Sequence, residues 1–177
     1  MHVNGTTIRV EQGDMTLTEI EAIAFYATED LKLGTGFGNA ISMRGGPPVQ
    51  EELNNLAPLL PLQAVVSSAG DLPAEYIIHA NGPKFQETDM AGKLKTTLVN
   101  TLAAAVEKGI TRIAYPPMGA GFYGVPIQEC AKVMVNTFIE HAQRGSSIKE
   151  IVIVTMNKRE YQPFAQLLHE DTKEVAA

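Results

Sequence analysis

Two glycine-bearing stretches stand where a polypeptide backbone can meet an anion. Gly34, Thr35, Gly36, Phe37 and Gly38 come shortly after the β-rich run 21–27 and lead into a helical pattern. Gly119, Ala120, Gly121, Phe122, Tyr123 and Gly124 follow the run 112–115 through Pro116, Pro117 and Met118, and lead into a helix near Pro126. A missing side chain lets N–H groups approach a phosphate closely, and the helix that begins next adds the positive end of its dipole. Either stretch alone is equally well a tight turn between strand and helix. Two of them at equivalent places read as the walls of one phosphate-binding cleft. No Gly-Lys-Ser/Thr follows either one, so a Walker loop is excluded. The dinucleotide fingerprint also fits poorly. Gly34, Gly36 and Gly38 have the wrong final spacing, and the position about twenty residues on holds Asn54 and Asn55 rather than an acidic strand tip.

The elements that position these loops alternate along the chain. Residues 7–10, 21–27, 64–68, 76–80, 112–115 and 148–155 read as strands, several of them continuously apolar, as strands buried on both faces are. A helix follows the candidate caps Thr88 and Asp89, places Leu94, Leu98, Leu102 and Val106 on one face, and stops at Gly109. A second starts near Pro126, with Ile127, Ala131, Met134, Val135, Phe138 and Ala142 on one stripe ahead of Gly145. A third begins about Lys158 and buries Tyr161, Phe164, Ala165 and Leu168, and two weaker helices cover 38–43 and 49–56. This alternation predicts an α/β fold with helices on both faces of a largely parallel sheet, where ligands bind at the carboxyl ends of strands.

With 177 residues and no linker or repeat, the chain reads as one domain over 1–170 with a short tail at 171–177. Its net charge of −6, without a run of like charges, argues against broad binding to nucleic acid or membrane. Any phosphate must be held locally. The single Cys130 forms no disulfide framework or cysteine-rich metal site and reads as buried and inert, which with the absence of a signal-like start favours a cytoplasmic setting. His2, His141 and His169 read as solvent-facing, and His79 as a satisfied strand-end histidine.

Gln12, Gly13, Asp14, Met15 and Thr16 precede the first loop, Phe122, Tyr123 and Gly124 end the second, and Ile78, His79, Ala80, Asn81, Gly82 and Pro83 look like a strand-ending His-x-x-Gly-Pro. In that order, over roughly residues 6–168, the chain closely resembles the macrodomain family. The resemblance implies a three-layer α/β/α fold with a mixed, largely parallel central sheet. It also implies that ADP-ribose is bound as a ligand, with no cofactor required. By that likeness Asp14 would accept a hydrogen bond from the adenine amino group and the Met15 backbone would face the ring. Gly34, Thr35, Gly36, Phe37 and Gly38 would enclose the diphosphate together with Gly119, Ala120, Gly121, Phe122 and Tyr123. Phe122, Tyr123 and Thr28 would lie by the distal ribose, Met156 would cover the adenine, and Asn157 would sit beside it. From the residues alone, Asp14 is equally a turn or cap residue, and Phe122 and Tyr123 equally core packing.

The chain departs from the resemblance where chemistry is expected. Hydrolysing members usually carry Asn-Ala-Ala-Asn where Phe25, Tyr26, Ala27 and Thr28 stand, and often an Asp where Gly38 follows Phe37. A second branch uses a Lys after its third strand and a loop Asp, whereas Ser67, Ser68, Phe122 and Tyr123 occupy those places here. The catalytic residues are therefore left unassigned, and binding is expected to outweigh hydrolysis. Glu29 and Asp30 read as a solvated pair, or, together with Tyr26, as groups helping to hold a metal bridged by the diphosphate. Three rivals are an enzyme releasing ADP-ribose from a modified side chain, acetyl ester or 1″-phosphate, a reader of nucleic-acid ends or poly(A), and a scaffold with a vestigial cleft. The expected partner is ADP-ribose or an ADP-ribosylated protein.

Overall fold

A computed structural model describes residues 1–34 and 36–176, apart from the side chains of Phe122 and of 170–176. Its centre is a seven-stranded sheet. The strands are β1 (His2–Val3), β2 (Thr6–Gln12), β3 (Ala22–Tyr26), β4 (Ala64–Ser68), β5 (Tyr76–Ala80), β6 (Arg112–Tyr115) and β7 (Glu150–Thr155). They lie in the order β1-β2-β7-β6-β3-β5-β4. The pairs β2–β7, β6–β7, β3–β6 and β3–β5 are parallel, while the edge pairs β1–β2 and β4–β5 are antiparallel. The sheet is thus mixed and largely parallel, as expected. The two-residue β1 carries no strand signal of its own and had no counterpart in the sequence reading.

Five helices cover the sheet. They are α1 (Phe37–Gly45), α2 (Pro47–Leu56), α3 (Met90–Lys108), α4 (Ile127–Gln143) and α5 (Lys158–Ala176). Strand residues alternate between two cores. Ala22, Ala24, Ile78, Ile113, Tyr115, Ile151 and Ile153 meet α3, α4 and α5 on one face. On the other face Ile23, Ile77, Ala114, Val152 and Val154 meet Ile41 of α1 and Val49 and Leu53 of α2. Three layers follow from that alternation. No helix among the described residues is long and apolar enough to cross a membrane.

Caps set the helix ends. The Asp89 carboxylate accepts from the Gly92 N–H at 3.2 Å, and Gly109 closes α3 in the left-handed conformation. The apolar face of α3 turns slightly from the expected one: Ala105 is fully buried, whereas Val106 is 41% exposed. His141 is also half-buried rather than solvent-facing, with Nε2 2.7 Å from Ser146 Oγ.

Candidate functional site

The ends of β3 and β6 are neighbours, and each feeds one of the glycine loops. The first loop is tied down from α2, where Gln50 accepts from the Leu33 N–H at 2.9 Å and donates to the Leu31 carbonyl at 3.1 Å. Leu31 is buried with φ at 56°, a conformation a non-glycine side chain keeps only when the core holds it. Gly36 then caps α1 at φ 62° and ψ −127°, a region open essentially to glycine alone. The Ala40 N–H returns to the Gly36 carbonyl at 3.1 Å, so the amides of Phe37, Gly38 and Asn39 have no partner inside the helix.

The second loop is braced by its own backbone. The Val125 N–H donates to Gly119 and the Gly124 N–H to Gly121, each at 3.0 Å, and Gly119, Gly121 and Gly124 all have positive φ. Beneath it Cys130 Sγ donates to the Met118 carbonyl at 3.1 Å, and burial pushes that thiol up to about 12. The cysteine is buried, as expected.

Between the loops runs one continuous cleft. Its middle, about 510 Å³, is walled by Gly34, Gly36, Phe37 and Gly38 on one side and by Gly119, Ala120 and Tyr123 on the other. Through Gly36, Phe37 and Ala120 it continues into a hollow of about 530 Å³ carrying Asp14, Met15, Gly121 and Met156. Past Thr28, Gly34 and Tyr123 it opens the other way into a chamber of about 730 Å³. Fourteen of the fifteen expected residues have described backbone positions; Thr35 and the side chain of Phe122 lie outside the described residues.

Asp14 turns out to fill the bland role and to line the cleft as well. Its Oδ1 accepts from the Thr16 N–H at 2.9 Å and Thr16 Oγ1 at 2.7 Å, capping the 3-10 turn Met15–Leu17, and Oδ2 lies 3.2 Å from Arg44 Nη1. Arg44 also donates to Thr16 Oγ1 at 3.0 Å, closing a ring of three side chains. The hydrogen bonds from Thr16, helped by Arg44, hold the Asp14 carboxyl below its ordinary range, so it stays an acceptor at neutral pH. Met156 is 81% exposed on the rim. Asn157 Oδ1 accepts from the Glu160 N–H at 3.0 Å at the start of α5, and the residue lines a groove that shares Ala120, Gly121 and Glu160 with the Asp14 hollow.

Rings crowd the opposite end. Tyr26 stacks on Tyr123 with centroids 4.1 Å apart and planes at 28°. Its hydroxyl donates to the Pro83 carbonyl, and burial keeps it protonated. Gly82 is required beneath, since a Cβ there would stand 2.5 to 2.7 Å from the Tyr26 ring. Phe25 meets Phe37 edge-on at 5.4 Å, and its Cζ lies 3.2 Å from where a Cβ on Gly38 would be. Of the groups named for a diphosphate-bridged metal, Tyr26 is a donor to Pro83, and Asp30 Oδ1 accepts from Thr28 Oγ1 at 2.7 Å and from the Lys32 N–H at 3.1 Å. Among the described residues no cluster of three or more His, Cys, Asp or Glu could hold a metal.

His79 corrects an expectation. Its Nε2 is 2.8 Å from Ser67 Oγ, which itself donates to the Ser68 carbonyl, so Nε2 carries the proton. Nδ1 is then a buried acceptor with no partner, and burial lowers the imidazole to about 3. Several residues lining the cleft were not assigned to it from the sequence, Lys32, Glu160 and Asn81 among them. Lys32 lines the middle with Nζ 2.9 Å from Asn54 Oδ1, Glu160 lines the Met156 end, and Asn81 lines the far chamber. Lys32 carried the one available signal, a cation two residues ahead of the first loop.

The family model for the Macro domain matches residues 26–134. A macro domain-containing protein of Streptomyces coelicolor is 35% identical over 170 residues, covering 92% of this chain and 99% of that one. One of Listeria monocytogenes is 34% identical over 172 residues, covering 93% and 98%. Among solved structures, a glycine-to-valine mutant of the Oceanobacillus iheyensis macrodomain with ADPR matches at a TM-score of 0.89 and 25% identity, over 98% of this chain and 97% of that one. The same macrodomain with ADP matches at 0.90 and 24% identity, over 98% and 96%. The fold, the order of the loops and these likenesses agree: the chain belongs to the macro domain family.

Proposed function

We propose that the protein binds ADP-ribose, free or carried on another protein, and holds it without efficient hydrolysis. The observation that carries this reading is the single cleft joining both glycine loops to the Asp14 hollow. A diphosphate in the middle would meet the α1 amides of Phe37, Gly38 and Asn39 and the backbone of the second loop, and a purine in the hollow would present its amino group to a carboxylate kept ionised by Thr16 and Arg44. Solved relatives with ADP and ADPR support the ligand class. A buried single thiol suits a reducing cytoplasmic setting.

The preference for holding over cutting rests on Gly38 and Phe25. No carboxylate projects at position 38, and Phe25 occupies the space beside it. A positioned general base contributes about 10²–10⁴-fold, so turnover without one is expected to be slow. Isothermal titration with ADP-ribose, ADP, AMP and NAD, alongside product assays on ADP-ribosylated protein and acetyl-ADP-ribose, tests both halves. No binding of ADP-ribose at millimolar concentration ends the reading, and turnover at ordinary enzymatic rates ends the preference for holding.

A further inference from the structure

The chamber beyond Tyr123 contains a polar atom that the fold leaves unused. Asn81 follows β5, is 3% exposed and lines the chamber. Its N–H donates to the Gln63 carbonyl at 2.9 Å, its carbonyl accepts from the Leu62 N–H at 2.6 Å, and its Nδ2 donates to the Leu59 carbonyl at 2.8 Å. A carbonyl can only accept, so Nδ2 is the atom that must face Leu59, which fixes the side chain's orientation. Oδ1 is left with no donor among the described residues. The side chain is nearly buried and held by Leu59, while Oδ1 is not among the buried unpartnered atoms, so it reaches the surface as an acceptor set for a donor from outside the chain.

Its neighbours say what that donor is. Tyr26 pairs with Ala80, and the Ala27 N–H donates to the Ala80 carbonyl at 2.7 Å, so the ends of β3 and β5 run side by side. Asn81 therefore stands about one strand spacing, roughly 5 Å, from the chain of 27 and 28. The chamber also presents Tyr123 and the exposed ring of Phe85, which packs where a Cβ on Gly124 would come within 2.7 Å. Lys84 adds an ammonium that makes no ion pair among the described residues. An aromatic face, an amide acceptor and a cationic donor together suit a sugar, whose C–H face packs on a ring while its vicinal hydroxyls hydrogen-bond.

We propose that Asn81 binds the hydroxyls of the distal sugar, supplying from the end of β5 the amide that Thr28, just past β3, does not. This rests on the ADP-ribose reading above, and the test separates the two. ADP lacks the distal sugar, so titrating ADP-ribose and ADP into wild type and Asn81→Ala isolates its contribution. Wild type is expected to bind ADP-ribose about ten-fold tighter than ADP, the scale of one or two well-made hydrogen bonds. In Asn81→Ala that ratio should fall to near one while ADP affinity is unchanged, which a merely structural role for Asn81 would not produce. Should the variant not fold, an ADP-ribose analogue lacking the distal vicinal hydroxyls, bound by wild type only as well as ADP, gives the same result. A ratio retained in Asn81→Ala, equal binding of ADP and ADP-ribose by wild type, or full-strength binding of the analogue overturns the role of Asn81. If wild type binds neither nucleotide, the ADP-ribose reading itself falls.

Discussion

The two ends of the cleft are built on different principles. At the Asp14 end, polar side chains hold one another: buried Thr16 donates to half-exposed Asp14, and half-exposed Arg44 touches both. At the Tyr123 end, rings fill the space, with Tyr26 under Tyr123, Gly82 pressed against Tyr26, and Phe25 closing over Gly38. The first arrangement keeps atoms free to face a ligand. The second spends its volume on packing, and its parts depend on one another. Phe25 and Gly38 are coupled, because the Phe25 ring lies 3.2 Å from where a Cβ at 38 would stand and would have to give for a side chain there. Changing either residue singly should not do what changing the pair does.

That comparison can be broken at several points. Gly36 serves both ends, so Gly36→Val should have the largest effect: a β-branched residue at its φ and ψ is strongly strained, and titration should show ADP-ribose binding weakened by more than about 100-fold. Asp14→Ala should cost about 1–3 kcal/mol of binding in the same titration, while leaving any ADP-ribose to ADP ratio intact because it acts at the opposite end.

His79 tests the packed end through pH. Its imidazole is lowered to about 3 in the folded chain, so below the ordinary value of 6.5 the unfolded chain takes up the proton first and stability falls with pH. Urea unfolding should show a loss of about 2 kcal/mol from about pH 7 to about pH 5 attributable to this residue, absent in His79→Gln. Asp14 behaves oppositely in range. Its carboxyl is depressed below 3.8, so its cap is fully present above that value and weakens only as pH falls further.

The coupling of Phe25 and Gly38 should appear in a double-mutant cycle. Gly38→Asp alone should destabilise by about 1–2 kcal/mol, and combination with Phe25→Ala should recover roughly 0.5–1 kcal/mol relative to the sum of the singles. The smallest effect is expected at the exposed rim, where Met156→Phe should tighten ADP-ribose by about 0.5–1 kcal/mol if a rigid ring covers the purine better than a thioether does.

The legible part of the molecule was its local grammar. Ala64–Ser68, Tyr76–Ala80 and Arg112–Tyr115 have the expected bounds, and Asp89 and Gly109 close α3 as their types suggest, because such signals are written in a few neighbouring residues. What the sequence did not reveal depends on partners far along the chain. Val106 and Ala105 compete for the same buried face, and only packing against the sheet decides between them. Tyr26 is held by Tyr123, 97 positions away, against its ring and by Pro83 at its hydroxyl, contacts that no local pattern announces. Asn81 sat inside a motif that drew attention to its neighbours His79, Gly82 and Pro83, and its free oxygen emerges only once Leu59 is seen holding its nitrogen. Asn157 shows the reverse case, a residue placed by resemblance beside the adenine whose amide is used to start α5.

The α1 amides at the middle of the cleft have a consequence for solution behaviour. Their dipoles are fixed in the backbone and add no net charge, and Lys32, the cation lining that stretch, is already engaged by Asn54. An anion held by such a surface against a net charge of −6 would lose part of both the attraction and the repulsion as salt rises, so its affinity would vary less with ionic strength than binding to a basic patch does.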